Sequence, residues 1–510
     1  MKFALNSKST KHMDDITVNE IKIPALVLME RAALQTVERI KERIDKSSRI
    51  LAVCGPGNNG GDGIAAGRIL YLQGYHVAIL LLFDEEKATE QTKVQIEIAK
   101  NLGITFENSN KLHEYNIIID AILGVGLSRP VTGIYENIIQ EINQTKNLVF
   151  SVDIPSGISA DTGAVLNMAV RADETITFGV QKLGLLLYPG AEYAGRITVA
   201  DIGFPEAAIQ QTEPDAFYYE AEDLAKLPIR CNYSHKGTYG KVLVIAGSKG
   251  VSGAAFLSAK AAYRMGAGLV KVLTCADNRE IIQTLLPEAL FEAYDRNDMQ
   301  KSEQNREILK ALRWASVIVI GPGLGQSEKA NELLSIVINE AQVPVIIDAD
   351  GLNILARWLD KQSNDLEKRL ELVNDLLADG TILTPHLREL SRILGEEVSF
   401  ITDNIIDTAG RCSYNSKLIH VIKDARTVVA HKNKKYINIS GNNGMATGGS
   451  GDVLTGMIAA MIAQGMPSFE AACLAVYIHG LAGDEACKEK GPYSLMADDI
   501  VEAINKVLKN

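Results

Sequence analysis

The sequence predicts an α/β protein of two domains, each built on a parallel sheet, and three observations predict it. Short apolar segments of strand length alternate with amphipathic stretches long enough for helices, the pattern of βαβ crossovers. The alternation breaks once, in a polar stretch from 210 to 223, and then restarts. At 510 residues the chain also exceeds what one hydrophobic core organises. The boundary is placed near Asp215, giving domains 1–215 and 216–510.

Taken in order, Asp14 and Asp15 are expected to cap an opening helix whose apolar face is Ile23, Leu26, Leu28, Met29, Ala33 and Val37. Strands are expected at 50–53, 77–82, 117–119 and 149–152. In the second domain they are expected at 242–246, 269–273, 317–320, 345–347, 382–384 and 418–422, and from Asp452 onward the chain reads as mostly helical. No repeat of fixed short period appears, which argues against a solenoid.

Hydrophobic residues make up 46% and charged residues 23%, as in an ordinary folded chain. A net charge of −11 favours solubility and argues against a general nucleic-acid or anionic-membrane surface. Anionic ligands must then be held by local geometry. Six cysteines lie scattered without a Cys-x-x-Cys pair, so neither a zinc site nor a disulfide framework is indicated. No apolar run approaches membrane-spanning length, and a reducing cytoplasm is the expected location.

After the strand at 50–53 comes Cys54-Gly55-Pro56-Gly57-Asn58-Asn59-Gly60-Gly61-Asp62-Gly63, a glycine-dense turn feeding a helix expected to start near Asp62. Glycines let backbone approach a ligand closely, and free amides at a helix start attract an anion. The spacing is not the dinucleotide G-x-G-x-x-G, and alone a plain tight turn explains it equally well. Two further strand ends, Asp120 through Pro130 and Asp153-Ile154-Pro155-Ser156-Gly157, place a carboxylate directly after an apolar strand. Such ends converge in a parallel sheet, so Asn59, Asp120, Asp153 and Ser156 are expected around one pocket. Their hard oxygens suit an alkali or alkaline-earth ion, the alternative for each aspartate being a turn or helix cap.

Leu28-Met29-Glu30-Arg31-Ala32, Asn58 through Gly63, Asp120 with Gly124-Val125-Gly126-Leu127, and Ser151 through Gly157 together resemble the NAD(P)HX epimerase family across the N-terminal half. The resemblance implies a Rossmann-like three-layer domain interconverting the R and S forms of hydrated NADH or NADPH at C6 of the damaged nicotinamide ring. It implies a potassium ion on Asn59, Asp120 and Ser156. It also implies a substrate site of Asn58, Asn59, Gly60, Gly61, Asp62, Gly124, Val125, Gly126, Leu127, Ser128, Arg129, Pro130 and Asp153. Epimerising a hemiaminal carbon requires loss and return of its hydroxyl, and Asp153 is the candidate acid/base. Val125 departs from the threonine more common in the family.

In the second domain, Gly441 through Gly456 is the most informative stretch. Gly448, Gly449 and Gly451 around Ser450 form a turn, and the apolar run that follows announces a helix whose positive end faces the same spot. Asp452, in the first turn of that helix, is placed to take a proton from an attacking hydroxyl beside a bound phosphate. A glycine-rich loop with a capping aspartate is the plainer alternative. Other strand ends are also decorated: Gly247-Ser248 with Ser252-Gly253-Ala254, Gly321-Pro322-Gly323-Leu324-Gly325, Asp348-Ala349-Asp350, and Thr384-Pro385-His386 with Glu389. Five loops on one face point to a ligand cleft. His386 alone is as readily a hydrogen-bonded structural histidine, and Lys423 a solvated lysine, as functional groups.

His235 through Lys241, Gly321 through Gly325, Asp348-Ala349-Asp350, Thr384-Pro385-His386 and Asn442 through Asp452 resemble the ribokinase-like superfamily and, within it, the ADP/ATP-dependent NAD(P)HX dehydratases. The resemblance implies a ribokinase-like α/β domain that removes water from (S)-NAD(P)HX while hydrolysing ADP to AMP and phosphate. It implies that Ala254, Gly323, His386 and Asp452 meet the hydrated nucleotide. Lys423, Asp424, Ala425, Arg426 and Thr427, with Gly448, Gly449, Ser450 and Gly451, would hold the ADP. Hydroxide leaves poorly, so phosphorylating the C6 hydroxyl makes it a leaving group, and magnesium is expected with the nucleotide. Leu387-Arg388 stand where Pro-Gly is common and Asp424 where Gly is common. A bifunctional metabolite-repair enzyme, forming a homo-oligomer, is the leading expectation. A vitamin-precursor kinase fused to a nucleotide-binding regulatory domain is the alternative.

Overall fold

The computed structural model describes residues 1–108, 111–295 and 300–509. It divides into two compact units, Phe3–Phe217, and Tyr218–Asn510 together with Met1–Lys2.

The sheet of the first unit has seven strands in the order Thr105–Glu107, His76–Leu81, Arg49–Cys54, Ile117–Ala121, Leu148–Val152, Glu174–Phe178, Arg196–Ala200, all parallel. Successive side chains of Arg49–Cys54 alternate between two cores: Ile50, Ala52 and Cys54 enter one with Ala33, Val37 and Ile64, while Leu51 and Val53 enter the other with Ile138 and Ile142. Helices on both faces thus make three layers, which is why a central strand such as Arg49–Cys54 reads as an apolar run from Ile50 onward. Chain order reverses between Arg49–Cys54 and Ile117–Ala121, and Cys54 lies opposite both Leu81 and Ala121, so the strand ends are level at this switch point.

Two features of the first unit depart from expectation. Asp14 and Asp15 do not cap the helix that carries Leu28 and Met29; they lie at the end of a separate helix, Ser7–Asp15. A π-helical stretch, Ile16–Glu20, follows, and the apolar helix is Ala25–Lys41, set off by Pro24, which removes a donor and disfavours helix before it. Leu26 is exposed. The strand Glu174–Phe178 escapes sequence reading because Glu174, Thr175 and Thr177 are polar yet buried. Their partners come from distant parts of the chain, Thr198 Oγ1 donating to Glu174 at 2.9 Å and Thr175 Oγ1 to the Ala194 carbonyl at 2.7 Å.

In the second unit the strands run Leu290–Ala293, Leu269–Thr274, Lys241–Ile245, Val317–Ile320, Val345–Ile347, Ile382–Leu383, Ile419–Ile422, Val428–His431, Lys434–Ile437. Pairing is parallel up to Ile419–Ile422 and antiparallel for the last two. The order reverses between Lys241–Ile245 and Val317–Ile320. Against this sheet lies Ser450–Ala463, whose side chains from Val453 to Ala463 are all buried, as an interior helix requires. No helix among the described residues is long and apolar enough to cross a membrane.

Candidate active sites

In the first unit the chain passes from Arg49–Cys54 into the helix Asn58–Leu72, four residues before Asp62. A methyl group on Gly55 would meet the Ile122 carbonyl oxygen at 1.9 Å, and one on Gly60 the Gly55 carbonyl oxygen at 1.9 Å. Only glycine fits where backbones approach this closely. A cavity of 1110 Å³ opens at the switch point, where doubly wound sheets bind ligands. Asn58, Asn59, Asp62, Gly124, Val125, Gly126, Leu127, Ser128, Arg129 and Asp153 line it.

Three expected contacts lie outside that lining. Gly60 packs on Gly55, Gly61 faces Met29 and Thr92, and Pro130 is exposed one residue beyond Arg129. Asp120 and Ser156 do not line the cavity either, since both are fully buried. Asp120 accepts from Ser156 Oγ at 2.5 Å, Ser151 Oγ at 2.7 Å and the Ser156 amide at 2.9 Å. Burial pushes its carboxyl up, and those donors oppose the shift. Ser156 connects this buried carboxyl to the lining: the Leu123 amide donates to its Oγ at 2.9 Å, and Oγ lies 3.2 Å from the Leu123 carbonyl oxygen. Asn59 Nδ2 is buried with no acceptor among the described residues.

Asp153 sits at φ +64°, strained for a non-glycine residue, as is common where a side chain is aimed for function. The structure adds Asp14 and Lys182 to the cavity, which sequence reading missed. Lys182 stands alone before the apolar run 183–187, and a single cation at such a place is the available signal of a buried charge.

In the second unit, loops at the switch point meet directly. The Gly247 amide donates to the Pro322 carbonyl at 2.8 Å, and Ser248 Oγ donates to the Gly323 carbonyl at 2.9 Å. A methyl group on Gly323 would lie 2.9 Å from Ala254 Cβ, so these two expected substrate residues are neighbours. Gly449 is the N-cap of Ser450–Ala463 at φ +94°, and Asp452 lies in the first turn. Burial first, then the Asp348 charge, pushes the Asp452 carboxyl up to about 7, against the pull of Lys423.

Lys423 reaches this place from the strand end Ile419–Ile422, giving Nζ to Asp348 Oδ1 at 2.6 Å. Its amide donates to the Pro385 carbonyl at 2.8 Å. Burial presses its ammonium down, but Asp348 and Glu389 together hold it above the ordinary value. A methyl group on Gly451 would stand 3.2 Å from Lys423 Nζ, so lysine and glycine turn adjoin. His386 accepts at Nδ1 from the Arg388 and Glu389 amides, and the His386 amide in turn donates to Glu389 Oε2 at 2.9 Å. It caps a helix, and burial first, then the nearby Lys423 charge, hold its pKa below the ordinary histidine value.

The remaining expected nucleotide residues diverge. Arg426 gives NH1 to the Ile439 carbonyl at 2.6 Å, Thr427 is buried, and Asp424 and Ala425 form the exposed tip before Val428–His431. His479, absent from the sequence reading, lies with Nε2 3.4 Å from Ser450 Oγ; it comes from mid-helix in Ser468–Lys490, where no local pattern marks it. Two contacts tie the helices Gly253–Arg264 and Ser450–Ala463: Ser258 Oγ donates to the Asp452 carbonyl at 2.9 Å, and a methyl on Gly456 would meet the Ser258 carbonyl oxygen at 2.1 Å.

Comparison with known proteins agrees with this division. Residues 242–506 match a family described as NAD(P)H-hydrate dehydratase, and residues 25–184 one described as YjeF-related protein N-terminus. A bifunctional NAD(P)H-hydrate repair enzyme from Thermofilum pendens is 36% identical over 98% of this chain and 95% of its own. Its counterpart from Moorella thermoacetica is 35% identical with the same coverage. The one from Escherichia coli is 33% identical over 94% of this chain and 89% of its own. Among solved structures, a ribokinase-like superfamily protein from Enterococcus faecalis is 28% identical, with a TM-score of 0.50, over 57% of this chain and 95% of that one.

Proposed function

The chain belongs to the family of bifunctional NAD(P)H-hydrate repair enzymes, and on that premise we propose how its two units divide the work. The first, residues 1–215, equilibrates (R)- and (S)-NAD(P)HX. The second, residues 216–510, dehydrates the S form to NAD(P)H while ADP is hydrolysed to AMP and phosphate. Asp452 carries the reading: a carboxyl that titrates at about 7 beside a glycine turn at a helix start is suited to remove a proton from the C6 hydroxyl as it attacks a phosphoryl group. Ala254, Gly323 and His386 receive the nicotinamide side, and Gly448 to Gly451 with Lys423 the phosphates.

Magnesium fits the second site through Asp348 Oδ2, which is buried without a donor. No group of three or more acidic, histidine or cysteine side chains suited to a metal occurs among the described residues, so the ion would rest mainly on phosphate oxygens and water, neutralising charge there. Potassium fits the first site through the Asp120 carboxylate, Ser156 Oγ and Asn59, whose amide turned over would present oxygen where its nitrogen now has no acceptor. There it would supply fixed positive charge. The six cysteines are free, in keeping with work in a reducing cytoplasm.

The test gives the full chain mixed-epimer NADHX with ADP. Complete recovery of NADH absorbance is expected, and Asp153→Asn should halt after the S portion, apart from spontaneous epimerisation. Accumulation of a stable phosphorylated product in place of free phosphate would instead identify a kinase.

A further inference from the structure

Among the charged groups that line the cavity of the first unit, four come from separate elements: Asp14 from Ser7–Asp15, Asp62 from Asn58–Leu72, Asp153 after Leu148–Val152, and Lys182 from Gln181–Lys182. They are not equivalent. Asp153 Oδ1 accepts from Lys182 Nζ at 2.6 Å, Thr177 Oγ1 at 3.0 Å and the Phe178 amide at 3.2 Å. Lys182 is only 1% exposed, and its other bond goes to the Phe178 carbonyl at 3.0 Å. A buried ammonium needs a paired charge, and the Asp153 carboxyl supplies it. Asp14 and Asp62 line the same cavity with no hydrogen-bond or ion-pair partner among the described residues.

We propose that epimerisation uses two carboxyls in opposite charge states, protonated Asp62 as the acid and ionised Asp153 as the base. Lys182 and Asp14 are positioning residues: Lys182 fixes the charge on Asp153, and Asp14 helps keep the proton on Asp62. The inference rests on the epimerase reading of this unit. Asp62 gives its proton to the C6 hydroxyl, the C6–O bond breaks with its electron pair leaving as water, and the N1 lone pair forms an N1=C6 double bond. Water then adds to the opposite ring face, the N1=C6 pair returns to N1, and Asp153 takes the proton released. Transfer of that proton through cavity water to Asp62 restores the starting state.

Asp62 has the surroundings an acid needs. Burial first, then the Asp153 and Asp14 charges, push its carboxyl well up, against the weaker pull of Lys182. Lys8, Lys11, Asp15 and Arg129 are the other charged groups on the lining, from the first helix and the loop after Ile117–Ala121.

The experiment follows R-to-S conversion of NADHX by the full chain across pH. The wild type should lose R-to-S conversion along an alkaline limb, as Asp62 gives up its proton. Asp62→Asn should lose on the order of a hundredfold in kcat and its alkaline limb. Lys182→Met, which removes the cation paired with Asp153, should lower kcat about tenfold or more while KM changes little. A circular-dichroism spectrum and melting curve matching the wild type report that each variant is folded. A wild-type profile without an alkaline limb overturns the proposal even if neither variant folds. Loss of that limb in Asp14→Asn while Asp62→Asn keeps it also overturns the assignment. Absence of any wild-type epimerisation above the spontaneous rate would sink the epimerase reading itself, a distinguishable outcome.

Discussion

Lys423 Nζ lies 2.6 Å from Asp348 Oδ1, and this pair joins two strand ends beneath the glycine turn of the second unit. Asp348 is fully buried, so the lysine is both its counter-ion and the cation facing Gly451. Lys423→Met strands a buried carboxylate and is expected to cost about 3–5 kcal/mol in the unfolding of this unit. Adding Asp348→Asn should return a large part of that loss. Urea denaturation of the single and double variants measures the coupling, and additive losses would contradict it.

Asp452→Asn should lower dehydration of (S)-NADHX by on the order of a hundredfold or more. In the wild type, activity should fall as pH drops below about 7, because the base must be ionised.

The same carboxyl has an opposite effect on stability. Its pKa rises from 3.8 to about 7 on folding, so the folded chain holds the extra proton between those values. Stability from this group is full below 3.8 and is lost as pH rises through about 7. At pH 8 Asp452→Asn should therefore raise the unfolding free energy of this unit by roughly 1–2 kcal/mol after solvent screening. Lower stability of the variant at that pH would show that Asp452 is not held against desolvation.

Gly451→Ala places a methyl 3.2 Å from Lys423 Nζ, where the lysine must give. The KM for ADP should rise about tenfold or more while R-to-S conversion is untouched, as paired assays on one preparation can show.

Replacing potassium by a bulky organic cation should slow epimerisation and leave dehydration of supplied (S)-NADHX unchanged. Equal slowing of both reactions would place the cation effect elsewhere.

The parallel sheets were legible because strands buried on both faces spell apolar runs, as Val317–Ile320 does and Ile117-Ile118-Ile119 does before Asp120. Strand ends carrying Asp153, Asp348 and Asp452's turn were legible by their position after, or near, such runs. Glu174–Phe178 was not, because its buried polar side chains are satisfied by partners that only the folded chain supplies. Asp14 was visible as a helix signal but assigned to the wrong helix, its role in the cavity depending on how Ser7–Asp15 packs. Lys182 and His479 were missed since each is brought to its site from an element with no glycine turn to mark it.

The tie between Ser258 and the Asp452 carbonyl, with Gly456 pressed against the Ser258 backbone, also bears on selectivity. Helices locked together this way share one rigid frame, so Asp452 and Ala254, each in the first turn of its helix, cannot drift apart to suit a substrate of different length. A hydroxyl displaced by the geometry of the wrong epimer would then stay out of the base's reach, and discrimination between stereoisomers becomes a property of the scaffold.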